Sequence, residues 1–409
     1  MADAGEVMAG PIGREIFGAA QILFLVFIMG SHILTFSIMM NTVTSHGTCT
    51  IVFGVVGLIV CLVFTMPRTL HRVSYMAIVS FMSIVAAVMI TMVGVGVERP
   101  GNGKVDVTVQ TNFSSAFLAV TNIIFAFAGK SLNLCSLLWV KFGLCAGEPP
   151  PSNPGSTAGS PLPDLPDLLS SWCWCASTKN FKRQTFAHLT AGHVAFFSFM
   201  SELKAPETYP KALFLLQGVD VSMYLIVAIV TYRYAGAEVT SPAVGSTSPL
   251  LQKISYGIAI PTIVIAGVIN GHDAAKYIYV RLFRDTDMMG KRNWKSFRLW
   301  ATIVLILWVI AWIIAKVIPV FNDLLSLISA LFASWFTYGL SGVFWLFMNR
   351  GRYRESARKM SLTGLNITTF CIGAAIVSLP SLGVSPSPAI MLTAEIVRYW
   401  VICLREGDS

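Results

Sequence analysis

Residues Ile16–Met40 read I-F-G-A-A-Q-I-L-F-L-V-F-I-M-G-S-H-I-L-T-F-S-I-M-M, with no Asp, Glu, Lys or Arg among them. At 1.5 Å per residue, a run of this kind reaches across a hydrocarbon layer about 30 Å thick. No water is available there to satisfy backbone N–H and C=O groups, so a lipid-exposed segment must be helical. Working outward, further apolar runs fall at Thr50–Met66, Val73–Val97, Tyr209–Tyr232, Ile254–Tyr279, Leu299–Ile318, Leu324–Met348 and Asn366–Leu382. Two half-length runs lie at Ser115–Gly129 and His193–Leu203. Counted as one interrupted helix, those halves bring the expectation to nine spans of an all-α membrane protein.

The composition agrees. The chain is 55% hydrophobic and 12% charged, with a mean hydropathy of +0.69. Soluble domains carry about 25% charged residues. The net charge of +9 does not point to nucleic acid. Its Arg and Lys side chains cluster in short loops beside apolar runs: Arg68 and Arg72; Arg281, Arg284, Lys291, Arg292, Lys295 and Arg298; Arg350, Arg352, Arg354, Arg358 and Lys359. If spans alternate, these loops share one side, which the positive-inside rule makes cytoplasmic. The expectation is a cytoplasmic N-terminus, a C-terminus on the far side, and the plasma membrane rather than the vacuolar membrane. The sequon Asn112-Phe113-Ser114 then faces outward, close to a span. Asp3 and Glu6 without a basic cluster do not make a signal-peptide n-region. The eight cysteines form no disulfide framework, and nothing resembles a nucleophile triad, a metal cluster or a phosphate loop. No cofactor and no enzymatic activity are expected.

Lys130–Ala191 breaks the pattern. It holds Pro149-Pro150-Pro151, Pro154, Pro161, Pro163 and Pro166, with Ser and Gly clusters and Cys173-Trp174-Cys175. Such composition reads as a loop or disordered insert. The C-x-C pair and His188 lack zinc-ligand spacing, and a regulatory loop is the ordinary reading.

The residues flanking that insert carry a resemblance. Asn122–Gly129 (N-I-I-F-A-F-A-G) and Gly192–Leu213 (G-H-V-A-F-F-S-F-M-S-E-L-K-A-P-E-T-Y-P-K-A-L) look like two halves of one motif of the amino acid/auxin permease family, in its fungal branch of neutral amino acid permeases. The opening M-A-D-A-G-E-V-M-A-G-P-I-G-R-E-I and Leu215–Tyr224 (L-L-Q-G-V-D-V-S-M-Y) fit the same family. The resemblance implies a LeuT-like inverted repeat of eleven helices. Helices one and six of such a fold are broken at the midplane and present half-helix ends to the substrate's carboxyl and amino groups. By this likeness the break of helix six joins Phe125–Gly129 to Gly192–Phe197. Phe125, Ala128, Gly129, Gly192, His193 and Phe196 become the expected substrate contacts. The chain is expected to lack the family's first two helices and, with helix one, half of the site. The expected division is 1–129 as the first part of the transporter domain, 130–191 as the insert, 192–384 as the remainder and 385–409 as a tail without family likeness. The insert reads either as a real loop or as translated intron. Gly129-Lys130-Ser131 can encode a splice donor and Ala191-Gly192 an acceptor, and excision would restore F-A-F-A-G-H-V-A-F-F.

Ionisable groups within spans are functional hypotheses by default. Asp220, about eleven residues into its span, and His32, beside Ser31 and Thr35, are the candidates for proton coupling. Each has a bland alternative: a carboxyl satisfied by Ser222, and a structural imidazole. Glu202 and Lys204 suit an interfacial pair. Lys316 and Asp323 need only snorkel to the membrane surface. Ser255, Tyr256, Thr262, Asn270, Ser334, Thr337 and Tyr338 offer polar atoms that fit substrate contacts or helix–helix hydrogen bonds equally well. Gly54 and Gly57 suit close packing. The expected function is proton-coupled secondary transport of neutral amino acids through a lipid bilayer. The alternative is a truncated, non-transporting or sensor-like membrane protein.

Overall fold

The computed structural model describes residues 2–45, 49–67, 73–101, 113–126, 209–236, 239–240, 242–283, 294–318 and 320–378. Ala128, Gly129, Gly192, His193 and Phe196, the insert, the run His193–Leu203 and the tail 385–409 lie outside them.

Among the described residues all regular structure is helical. The helices are α1 (Ala2–Thr44), α2 (Thr50–Thr65), α3 (Val73–Glu98), α4 (Phe113–Ala126), α5 (Tyr209–Ala235), α6 (Pro249–Phe283), α7 (Trp294–Val317), α8 (Phe321–Met348) and α9 (Ala357–Ser378), with a 3₁₀ turn at Ala243–Ser246. Five are long and apolar enough to cross a membrane: Gly10–Thr44 of α1, Ile78–Glu98 of α3, α6, α7 and α8. The chain is an integral membrane protein. α1 is longer than the apolar run that announced it, and it turns sharply at Gly10, whose φ of +66° precedes Pro11. Glycine tolerates that left-handed conformation, and proline cannot donate to the preceding turn.

α1 is the axis of the molecule. It packs along α6, α7 and α2, and those three also touch one another. Lipid tails are as apolar as leucine, so helices in a bilayer are held by close packing and interhelical hydrogen bonds rather than by expulsion of water. The small residues show this. Gly57 lies against the ring of Phe36 and Gly54 against Ser37 and the Lys316 stem. Trp308 of α7 is fully buried, with its indole pressed on Gly271 of α6. Its Nε1 donates to Thr65 Oγ1 at 3.2 Å, and that hydroxyl donates in turn to Cys61 O at 2.7 Å. Replacing Thr65 by valine keeps the shape and removes both bonds. We expect a loss of about 1 kcal/mol, within the range for hydrogen bonds between membrane helices, read as a lowered Tm in detergent.

Polar contacts mark two opposite ends of the bundle. At one end Arg281 of α6 pairs with Glu15 of α1, and Trp300 Nε1 donates to Met66 O at 3.0 Å. At the other, Asn41 Nδ2 donates to Thr50 Oγ1 at 2.9 Å, Lys316 Nζ to Thr50 O at 2.9 Å, and the Ser248 amide to Glu98 Oε2 at 2.6 Å. The Glu98 carboxylate thereby sits at the start of α6, where the helix dipole favours it.

α3 is fastened to α6 by Ser83 Oγ donating to Ile258 O at 2.5 Å and Thr262 Oγ1 donating to Ser80 O at 2.6 Å. α5 packs outside α3, α4 lies along the first half of α8, and α9 lies along its second half.

Candidate functional site

The segment that departs from regular helix lies in α8. Its sequence, S-A-L-F-A-S-W-F-T-Y-G from Ser329 to Gly339, contains no proline. Ser329–Ala333 and Trp335–Gly339 are π-helical: the Ser334 amide donates to Ser329 O and the Leu340 amide to Trp335 O, each five residues back. Such segments are rare and concentrate at functional sites. The wider turn frees carbonyls that regular helix would occupy, and nearby hydroxyls take them up. Ser334 Oγ donates to Ala330 O at 2.8 Å, and Ser341 Oγ lies within bonding distance of Thr337 O (2.8 Å) and Tyr338 O (3.0 Å).

Three helices meet this segment. α1 runs antiparallel to α8 along an aromatic seam: Phe17 lies 6.3 Å from Phe344, Phe24 5.7 Å from Phe336 and Phe27 5.5 Å from Phe332, between ring centroids. α4 runs beside Phe321–Ala333. α9 closes the far side, with Trp335 and Phe370 rings 5.7 Å apart. Three buried oxygens on the converging helices have no hydrogen-bond partner among the described residues: Gln21 Oε1 on α1, Asn122 Oδ1 on α4 and Thr337 Oγ1 on α8. Gln21 lies one turn from both Phe17 and Phe24. An unpaired buried acceptor costs about 1–3 kcal/mol, so each of these three atoms is a candidate contact for a polar ligand.

The expected site residues distribute as follows. Phe125 is half-buried near the end of α4, packed against the main apolar core that α1, α6, α7 and α8 share. His32 is half-buried on the side of α1 that meets α6, where a Cβ on Gly267 would stand 3.2 Å from the histidine Cβ. Ser31 and Thr35 give their hydroxyls to the carbonyls of Ile28 and Ser31, both at 2.7 Å, rather than to the imidazole. Asp220 is buried on α5, one turn before Tyr224, in the layer that packs on α3. No hydrogen bond or ion pair joins His32 to Asp220 among the described residues. Their proposed roles therefore belong to separate places in the bundle.

The polar atoms of α6 resolve toward packing. Thr262 bonds to α3, Ser255 Oγ accepts from Thr91 Oγ1 at 3.4 Å, and Asn270 Nδ2 donates to Ala266 O at 2.8 Å within its own helix. Lys316 reaches Thr50 O, as snorkelling from a helix end would have it.

Sequence reasoning passed over Gln21, Asn122 and His272. His272 is buried on α6 with its ring 5.2 Å from that of Trp300. Its signal was present, an ionisable residue inside an apolar run. Gln21 and Asn122 carried no such signal, because an amide in a span is ordinary until its partners are known. Among the described residues no group of His, Cys, Asp and Glu side chains could hold a metal ion.

With this geometry in hand, the comparisons are specific. The family described as "Transmembrane amino acid transporter protein" matches residues 2–135 and 186–385, leaving the middle of the Pro-rich segment outside. The chain is similar to the "N amino acid transport system protein" of Neurospora crassa, 29% identical over 388 residues, covering 92% of this chain and 69% of that protein. A "Transmembrane transporter" of Gibberella moniliformis is 27% identical over 374 residues, covering 91% and 67%. Another, of Fusarium pseudograminearum, is 25% identical over 347 residues, covering 85% and 61%. The chain thus spans about two thirds of the length of these relatives. No solved structure matches it.

Proposed function

This chain belongs to the transmembrane amino acid transporter family, a family of transporters rather than enzymes, and from that premise we propose that it moves neutral amino acids across the plasma membrane by proton-coupled secondary transport. The observation that carries the reading is the family match on both sides of the insert, supported by the composition of the interior. The buried side chains of the π segment, Ser329, Ala330, Ala333, Ser334, Phe336 and Thr337, are uncharged, and Asp220 is the buried carboxylate among the described residues. A zwitterion with an uncharged side chain suits such a place: backbone and hydroxyl dipoles can hold its charged ends, and among the described residues of the π segment itself no Asp, Glu, Lys or Arg stands to pair with a charged side chain.

The proposed frame is a LeuT-like bundle with nine spans and a cytoplasmic N-terminus. Polar contacts at the two ends support alternation, since each joins helix ends that an up-and-down path puts on one side. Phe125, Ala128, Gly129, Gly192, His193 and Phe196 are the proposed substrate contacts, with Gln21, Asn122 and Thr337 added from the geometry. Asp220, and more weakly His32, are the proposed proton carriers, because ionisable side chains within spans mark ion pathways and proton relays.

The test is uptake by the purified chain in proteoliposomes. We expect saturable entry of a labelled neutral amino acid, accumulation driven by an inward proton gradient, and its collapse with a protonophore. Lysine and glutamate in excess should compete weakly. Asp220→Asn should abolish uphill accumulation while preserving exchange of internal for external substrate. Accumulation that ignores the proton gradient would overturn the coupling. Absence of any saturable uptake would favour a non-transporting, sensor-like role.

A further inference from the structure

The turn between α8 and α9 is short, ordered and strongly basic. Residues Asn349–Met360 hold Arg350, Arg352, Arg354, Arg358 and Lys359 against the single acid Glu355. Its backbone is fixed from within. The Arg352 amide donates to Asn349 O at 2.9 Å, Gly351 takes a φ of +80°, and Tyr353 Oη donates to Leu346 O at 2.8 Å, tying the turn back onto the end of α8. Glu355 is already committed. Arg352 Nε donates to it at 2.7 Å, and Lys359 pairs with it from one turn further along. Arg352 foremost, then Lys359, holds its carboxyl down to about 2, so Glu355 stays a carboxylate throughout the physiological range.

The remaining cations are not committed. Arg350 and Arg354 are exposed and make no ion pair among the described residues. They flank the arrangement that neutralises Glu355, so no acid of the turn offsets them. Beside them the two helix ends expose Met348 (63%) and Met360 (58%). Two unpaired guanidinium groups, held on a rigid turn just beyond the ends of two membrane helices and bordered by exposed apolar side chains, match the phosphate of a membrane lipid. The guanidinium fork takes phosphate oxygens bidentately, while the exposed methionines offer apolar surface for an acyl chain.

We propose that the α8–α9 turn is a binding site for the headgroup of an anionic phospholipid, with Arg350 and Arg354 as its ligands. The site goes beyond the transport reading and does not depend on it. It has a direct line to the interior, because α8 carries the π segment and α9 lies against that segment through Gly373 and Gly339. A headgroup clamped across the turn would hold the hairpin in one register.

The experiment uses the full chain in nanodiscs of phosphatidylcholine with a minor fraction of phosphatidylserine. The expected result is enrichment of phosphatidylserine bound to the wild type, counted by native mass spectrometry after release into detergent. The double variant R350Q/R354Q should lose about 25-fold in preference, the product of about fivefold for each basic residue at an anionic surface. R350K/R354K should retain part of it, and Arg99→Gln, at the opposite end of the bundle, all of it. Wild-type Tm should rise with phosphatidylserine, and that of R350Q/R354Q should not. Equal phosphatidylserine retention by wild type and R350Q/R354Q would overturn the proposal. So would full displacement by inorganic phosphate, which would mark a soluble-anion site instead. Binding is read without transport, so a failure here is distinct from a failure of the uptake assay.

Discussion

Trp308→Ala is expected to lower stability by about 3–5 kcal/mol, the range for removing a large buried aromatic, and to lower Tm in detergent by on the order of 10 °C. The side chain is fully buried between α7, α6 and α2. Its indole rests on Gly271, where a Cβ would lie 2.9 Å from Cζ2 and 3.1 Å from Nε1, and its N–H reaches Thr65. Inside a bilayer the loss is one of dispersion contacts and one interhelical hydrogen bond, since lipid tails offer leucine-like surroundings to any side chain left outside. Trp308→Phe should recover most of the contact and none of the hydrogen bond. A thermal unfolding series on wild type, Trp308→Phe and Trp308→Ala checks the order. Indistinguishable midpoints for all three would mean that α7 does not meet α6 and α2 in this way.

Gly342→Val is the second large effect. A Cβ at Gly342 would lie 2.6 Å from the carbonyl oxygen of Asn366, on the backbone of α9, and 3.3 Å from Phe370 Cβ. Backbone cannot rotate aside as a side-chain tip can, so α8 and α9 must part. Overpacking typically costs 1–3 kcal/mol, occasionally more, and here we expect about 3 kcal/mol. The consequence should reach the transport assay. α9 also touches the π segment at Gly373, where a Cβ would stand 2.8 Å from the Gly339 amide nitrogen, so a parted hairpin alters the packing of the segment that distinguishes α8. Gly364→Ala supplies the control. Nothing stands within 4 Å of its would-be Cβ, and alanine favours a helix by up to about 1 kcal/mol over glycine. That variant should match or exceed the wild type in Tm with uptake retained. Equal behaviour of Gly342→Val and Gly364→Ala would dismiss the close approach of α8 and α9.

Much of the architecture was legible before any coordinates. An apolar run such as Ile16–Met40 has one solution in a bilayer, because unsatisfied backbone groups are too costly there, and the periodic small residues Gly54 and Gly57 forecast tight neighbours. The polar residues of α6 were legible only as alternatives. Whether Thr262 faces a substrate or Ser80 O depends on which helix lies beside it, and hydropathy does not encode that. The same holds for His32 and Asp220, each of which the sequence offers as a candidate for proton coupling beside a bland structural alternative, and which lie on α1 and α5.

The sequence by itself determined that the chain is a helical membrane protein of the amino acid transporter family, because span length, charge placement and the helix-six motif are local properties. Only the tertiary structure decided that α1 is the axis around which α2, α6, α7 and α8 assemble, that α8 widens to π-helix between Ser329 and Gly339, and that Gln21, Asn122 and Thr337 are left with oxygens unpaired among the described residues. Those outcomes turn on which backbone groups and side chains find partners across helices, and a hydrogen bond between residues as far apart as Thr65 and Trp308 leaves no mark on either neighbourhood of the sequence.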